Sequence, residues 1–317
     1  MLDMEASAKG SLVTINIDGK PLEKLIDVVS KGIGTLYRPR KIRKEADAQA
    51  YAIKVLEKAK AEAGADSMLI EADTAERISQ RLVAQEIRRQ NNIDTVVEAA
   101  AEDLKGKDVS DEPVNEDWST RFFGIVQDVS QKEMKAIWAK ILAKEIERPS
   151  SYSMRTLEVL RNISFAEAEL FVKLSDFVLK NSGCFVFNDE DILDKYGLQY
   201  RELATLREAG LLQTGELVTR TYYATRGGTK RNYIVYGDKI IVLSIPPESQ
   251  AVKLTIYLLS QAGCELLELT EHKENMNYIK DFAAFVKKKN PAVTVEYGRI
   301  LEIHDQKVRY ETPLTTL

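Results

Sequence analysis

The sequence predicts a mainly α chain with an α+β C-terminal part. Three observations carry that prediction. Apolar residues recur at helical spacing through the first half of the chain, Ser-x-x-Glu cap signals precede apolar runs, and short alternating β-like segments take over after residue 184. The expected order is an N-terminal segment with a short strand over 1–20, a long helical region over 21–105 and a central helical module over 106–162. A winged-helix-like domain over 163–270 and a small α/β tail over 271–317 follow.

Each element has a local reason. Leu12 to Ile17 alternates apolar and polar residues, as a half-buried strand does. Pro21 suits the first turn of a helix, and Leu22, Leu25, Ile26, Val29, Ile33 and Leu36 repeat at its period. Gly32 and Gly34 weaken this helix, and Pro39 interrupts it. A narrow stripe (Ile42, Ala46, Ala50, Ile53, Leu56) predicts a long helix from Arg40 to Ala63, ended by Gly64. A second, from Thr74 to Leu104, carries Val83, Ile87, Ile93, Val97, Ala101 and Leu104, so the two form a helical hairpin. After a loop over Lys105 to Asp117, Trp118, Phe122, Ile125 and Val126 mark one helix. Met134, Ile137, Trp138, Ile141 and Leu142 mark the next, which Ser130 and Glu133 are spaced to cap.

Further on, Met154 to Asn162 is a short helix, and Ser164 with Glu167 opens another. Cys184 to Phe187 reads as a strand, and Asp189 to Tyr196 and Leu198 to Ala209 read as helices. Leu217 to Thr225 and Asn232 to Tyr236 then make a hairpin around Gly227-Gly228, with Ile240 to Ile245 as a further strand. Helix, helix and hairpin in that order is the pattern of a winged helix. The tail holds a helix over Lys273 to Lys289 and strands at Val293 to Tyr297 and Ile300 to His304.

Composition narrows the function classes. The 317 residues carry a net charge of −4, which argues against bulk coating of nucleic acid. Two His (His272, His304) and two Cys (Cys184, Cys264) exclude Cys-rich zinc modules and a disulfide framework. Each cysteine has apolar neighbours and reads as a small core residue. No secretory signal or membrane span is visible, so a cytoplasmic chain is expected.

The middle of the chain holds a dense ordered pattern: Asp117-Trp118, Phe122-Phe123, Ser130, Glu133-Met134, Trp138, Ile141-Leu142-Ala143, Glu145, Pro149, Ser153 and Arg155-Thr156. Leu25-Ile26, Val29-Ser30, Gly32-x-Gly34, Pro39, Ile42-Arg43 and Gln90-x-Asn92-Ile93 precede it. This set resembles the bacterial family named domain of unknown function 2806, over about residues 12–270. Lys144 and Ser150 depart from it, where glycines are expected near a helix end. The family name implies no activity. The arrangement is also similar to that of the Abi-alpha abortive-infection proteins, which implies a phage-defence context. The large apolar motif residues read as core, and Glu145 and Arg155 as candidates for a buried ion pair or a partner contact.

Three charged constellations stand out. The stretch Lys20 to Lys44 carries a local +6, and Lys31, Arg38, Arg40, Lys41, Arg43 and Lys44 are its candidate contacts with a membrane surface or a second subunit. The wing region offers Arg220, Tyr222, Arg226, Lys230, Arg231 and Tyr233 as contacts for nucleic acid or a protein partner. Glu202 and Glu208 on the adjacent helix oppose phosphate, which puts protein interaction ahead. The acidic segment Glu102 to Asp117, a local −5, matches no Ca²⁺-loop spacing, but it can meet the basic stretch of another subunit. Catalytic motifs are missing, and Glu302-Ile303-His304-Asp305 is only a loose acid/His cluster. No catalytic residue, metal site or cofactor is expected.

The expectation is a non-enzymatic, self-associating interaction protein of bacterial phage defence, a homo-oligomer with a phage or host protein as partner. A nucleic-acid-binding regulator and a peripheral membrane effector are the alternatives.

Overall fold

The computed structural model describes residues 19–37, 72–215, 218–304 and 307–317. The strand expected over Leu12 to Ile17 and the helix expected from Arg40 to Ala63 lie outside them. The chain divides into two compact units, Met1–Met154 and Arg155–Leu317.

The first unit is helical. Helix α1 (Lys20–Ile33) has its proline in the first turn and buries Leu25, Val28 and Val29. It stops at Ile33, earlier than the apolar spacing through Leu36 suggests, because Gly34 takes the left-handed conformation of a C-cap at φ 72°. Helix α2 (Ala72–Asp103) runs 32 residues. Helices α3 (Glu116–Val126) and α4 (Lys132–Glu147) complete the unit. Asn115 caps α3 by accepting from the Trp118 N–H. Ser130 does not cap α4: Gln131 holds the extended N-cap position, so the Ser130–Glu133 spacing is one residue out of step.

Gly32 is a close-approach site rather than a weak point. A Cβ built there would lie 2.3 Å from Phe123 Cδ2 and 2.7 Å from the Ser119 carbonyl oxygen. Beneath this contact, Trp118 stacks on Phe122 at 5.0 Å, and Phe122 meets Trp138 edge-on at 5.4 Å. The Trp118 indole donates to the Tyr152 carbonyl at 2.8 Å, so the polar end of the ring is satisfied inside the core.

The second unit is α+β. Helix α5 (Met154–Asn162) leads into α6 (Phe165–Ser175), which opens with the expected Ser164–Glu167 capping box. Strands β1 (Val178–Lys180) and β2 (Cys184–Phe187) form a hairpin. The segment Asp189–Tyr196 is a 3₁₀ helix interrupted at Glu190 and Asp191, both at positive φ, and α7 (Tyr200–Glu208) follows. The remaining elements are β3 (Val218–Tyr222), β4 (Lys230–Tyr236), β5 (Lys239–Ile245), β6 (Val252–Leu258) and α8 (Gln261–Leu266). Helix α9 (Met276–Lys289), β7 (Thr294–His304), β8 (Lys307–Tyr310) and β9 (Thr315–Thr316) end the chain.

Among the described residues the strands make one antiparallel sheet in the order β3-β6-β2-β1-β4-β5-β7-β8, with β9 on β7. This corrects the expected hairpin around Gly227-Gly228. There β3 pairs with β6 and β4 pairs with β5, leaving only a Thr225–Gly228 bridge at the turn. The reason is burial: β5 is buried from Ile240 to Ile245 and takes the central place beside β4. The two tail strands expected at 293–297 and 300–304 are one strand with a register shift between Ile300 and Glu302. Helix α9 buries Tyr278, Phe282 and Phe285 against the sheet, and Phe187 meets Phe282 at 5.1 Å.

Candidate functional site

Among the described residues, Lys20 and Lys24 of the basic stretch meet the acidic segment of the same chain. Lys24 Nζ donates to the carbonyls of Ser110 at 2.9 Å and Glu112 at 2.7 Å, and Lys20 pairs with Asp111. Burial, then the charge of Lys20, hold the Lys24 ammonium below its ordinary value, while the bond from Lys20 lowers the Asp111 carboxyl. The loop is anchored by the Ser110 N–H, which donates to the Glu147 carbonyl at 3.0 Å. The resulting open cleft, of about 320 Å³, is lined by Lys20, Lys24, Asp27, Asp111 and Pro113. For Lys20 and Lys24, therefore, the acidic segment is a partner in the same chain. Lys31 pairs with Asp27 one turn away. Arg38, Arg40, Lys41, Arg43 and Lys44 lie outside the described residues.

In the second unit the six wing candidates separate. Tyr222 is 5% exposed; burial raises its hydroxyl pKa, and Arg220 opposes that rise. Arg220 lies 4.5 Å over the Phe185 ring and donates to Asn181 Oδ1 at 3.0 Å. Arg226 in the turn and Arg231 and Tyr233 on β4 are exposed, and Lys230 is half-buried. Arg231 and Tyr233 share one face of β4 by the alternation of the strand. Tyr310 joins them from β8, 6.3 Å from Tyr233. Burial, then the bond with Tyr233, raise the Tyr310 pKa. Glu296 is on that face too, in register with Val242 and so with Tyr233. Tyr310 and Glu296 escape sequence reading because β7 and β8 come from the far end of the chain; nothing local signals that they reach β4.

His272 Nδ1 lies 2.8 Å from the Ser175 carbonyl, and the ring meets Tyr236 edge-on at 4.9 Å. Asp305 and the side chain of His304 lie outside the described residues. Among the described residues no group of three or more His, Cys, Asp or Glu is placed to hold a metal ion. No helix among the described residues is long and apolar enough to cross a membrane.

The family described as protein of unknown function, DUF2806, matches residues 76–185 and 186–283. The chain belongs to the DUF2806 family. No curated protein and no solved structure matches it. Several motif residues are buried or hydrogen-bonded within the fold. Asn92 donates to the Gln127 carbonyl at 2.7 Å, and Gln90 and Tyr37 both donate to the buried Asp94 carboxylate. Glu145, 1% exposed, accepts from the backbone N–H groups of Ser150 at 2.7 Å and Tyr152 at 3.0 Å. It thereby fixes the turn after α4, where Ser150 itself has φ 68°. That is the position at which a glycine was expected, and the Glu145 bond holds the serine there. Arg155 is exposed and is not the buried ion of the motif. Thr156 is buried and donates to Glu265 at 2.5 Å.

Proposed function

We propose that this DUF2806 chain is a non-enzymatic interaction protein that self-associates through its long N-terminal helices, as a sensor, adaptor or effector in bacterial phage defence. One observation carries the self-association: the two halves of α2 differ. The C-terminal half buries Ile93, Val96, Val97, Ala100 and Ala101 in its own unit. In the N-terminal half Leu82 is 37% and Ile87 is 50% exposed, and Val83 stands one turn before Ile87 on the same face. An apolar stripe on a long helix is the surface a second copy can cover with its own. The phage-defence context rests on the similarity of arrangement to abortive-infection proteins. Light scattering at micromolar concentration should give a mass above that of one chain. Ile87→Glu should return it to one chain with helicity unchanged, and a wild-type monomer refutes the proposal.

A second reading is a nucleic-acid-binding regulator. Helix α6, strand β2, the 3₁₀ helix with α7, and then β3 and β6, ordered β3-β6-β2 in space, support descent from a winged helix, with β4 and β5 inserted where a wing would stand. Arg226, Arg231, Tyr233 and Tyr310 would hold phosphate and stack on bases. Against it, Arg207 of α7 lies over Tyr257, and Glu296 shares the Arg231 face. If the double variant Arg226→Ala, Arg231→Ala keeps the affinity and salt slope of the wild type for single-stranded DNA, this reading fails. The membrane-surface alternative rests on the basic stretch, and flotation with anionic liposomes tests it.

A further inference from the structure

The chain's two cysteines are far apart in sequence and adjacent in the fold. Cys184 opens β2, and Cys264 sits in α8. The pairing of β2 with β6 continues to the Leu259 N–H, which donates to the Cys184 carbonyl at 2.9 Å. Ser260 then caps α8 by accepting from the Gly263 N–H at 3.0 Å, and the chain turns back toward β2. Gly263 lets α8 approach the turn after α7 closely: a Cβ there would lie 2.2 Å from the Leu211 carbonyl oxygen. The Cys264 N–H donates to the Ser260 carbonyl at 2.9 Å, one turn into α8, so Cys264 stands beside Cys184 at the end of the β2–β6 ladder. Both are free thiols, and neither is sealed in the core, since each is half-buried.

We propose that Cys184 and Cys264 are a peroxide-oxidisable dithiol, with Cys264 as the attacking sulfur and Cys184 as the resolving one. The asymmetry comes from the surroundings. The hydrogen bond from Cys184 lowers Cys264 to about 7; burial opposes this, and the Cys184 N–H and the charge of Lys180 support it. Lys180 lies opposite Cys184 in the β1–β2 ladder. Glu265 acts against the Cys264 thiolate, and Glu268 against ionisation of Cys184. The bond to Cys264 and burial push Cys184 up, so it holds its proton.

The chemistry balances with hydrogen peroxide as oxidant. The Cys264 thiolate attacks one peroxide oxygen, the O–O bond breaks, and Cys264 sulfenic acid and hydroxide form. The sulfur is oxidised and the peroxide reduced, and the hydroxide takes up the proton that Cys264 released on ionising. The Cys184 sulfur then attacks the sulfenic sulfur. The S–S bond forms, the S–O bond breaks, and the Cys184 proton leaves with the hydroxyl as water. Two thiols and one peroxide give one disulfide and two waters. The disulfide ties the start of β2 to α8 and is opened again by thiol reductants.

The test is oxidation of the reduced full-length chain with one equivalent of hydrogen peroxide. The expected result is loss of both alkylatable thiols together, with an intact mass lower by about 2 Da. A non-reducing digest should contain one peptide pair joined through 184 and 264. Cys184→Ser should instead accumulate sulfenic acid at Cys264, trapped by a dimedone probe, while Cys264→Ser should react at least tenfold more slowly. Retention of two alkylatable thiols, or overoxidation of one cysteine without a cross-link, overturns the proposal. The digest and the thiol count use the wild-type chain, so they decide the matter even if a variant fails to fold.

Discussion

Replacing Gly32 by alanine tests the helical unit at its tightest contact. The added Cβ meets Phe123 Cδ2 at 2.3 Å and the Ser119 carbonyl oxygen at 2.7 Å, whereas carbon contacts are comfortable near 3.5–4.0 Å. The phenyl ring can rotate only against the Phe122 ring packed on it, and the carbonyl belongs to α3 and cannot rotate away. Overpacking of this kind costs about 1–3 kcal/mol, and two contacts, one to backbone, place it at the upper end. Alanine recovers about 1 kcal/mol of helix propensity. The net loss is about 2 kcal/mol, a fall of about 1 M in the urea midpoint for a slope near 2 kcal/mol/M. The two tryptophans of the chain, Trp118 and Trp138, both lie in the core of this unit, so indole emission reports its unfolding. Gly124 on α3 is the matched control: a Cβ there meets nothing within 4 Å, and Gly124→Ala should stabilise by about 0.5–1 kcal/mol. If Gly32→Ala is as stable as the wild type, α1 does not lie on Ser119 and Phe123 as described.

Two other substitutions probe carboxylates. Glu145→Gln leaves one of the two N–H groups at Ser150 and Tyr152 facing an amide NH₂, and should cost about 1–3 kcal/mol by the same urea assay. A shift in the emission maximum should accompany it, because the Tyr152 carbonyl accepts from the Trp118 indole. Glu167 should show its effect in acid. Bonds from the Ser164 hydroxyl and N–H lower its pKa from 4.5, so its contribution is complete above pH 4.5 and is lost as pH falls through the lowered value. The stability difference between the wild type and Glu167→Gln, followed by far-ultraviolet circular dichroism, should therefore close below that pH.

Several elements specified by neighbouring residues were legible in the sequence, although the Ser130–Glu133 spacing stood one residue out of step. The Ser164–Glu167 box, the proline of α1 and the apolar period of α2 are local features, and each element formed where its signal stood. Partners set by packing were not legible. Gly227-Gly228 is a sound local hairpin signal, yet β3 joins β6 across the sheet. The alternation of β6, buried at Val252, Leu254 and Ile256, was the signal that could have revealed that partner. Gly32 read as a helix weakness because the Phe123 ring that needs its space lies on another helix. In the surface cluster, Arg226 and Arg231 were legible as exposed cations, but the inward Arg220 and the contributions of Tyr310 and Glu296 depend on sheet order. The two cysteines looked like separate core residues because only the β2–β6 ladder brings them together.

The place of β5 in the sheet also orders events during synthesis. Its apolar run is buried beside β4 on one edge and β7 on the other. A growing chain completes the β4–β5 hairpin and must emit about 50 further residues before β7 arrives, a delay of several seconds at about 5–20 residues per second. Through that interval Ile240 to Leu243 presents bare backbone along one edge, the template on which nascent chains pair with one another. The closing strands thus serve as an edge guard, and chains cut short before Thr294 should collect in inclusion bodies while the full chain does not.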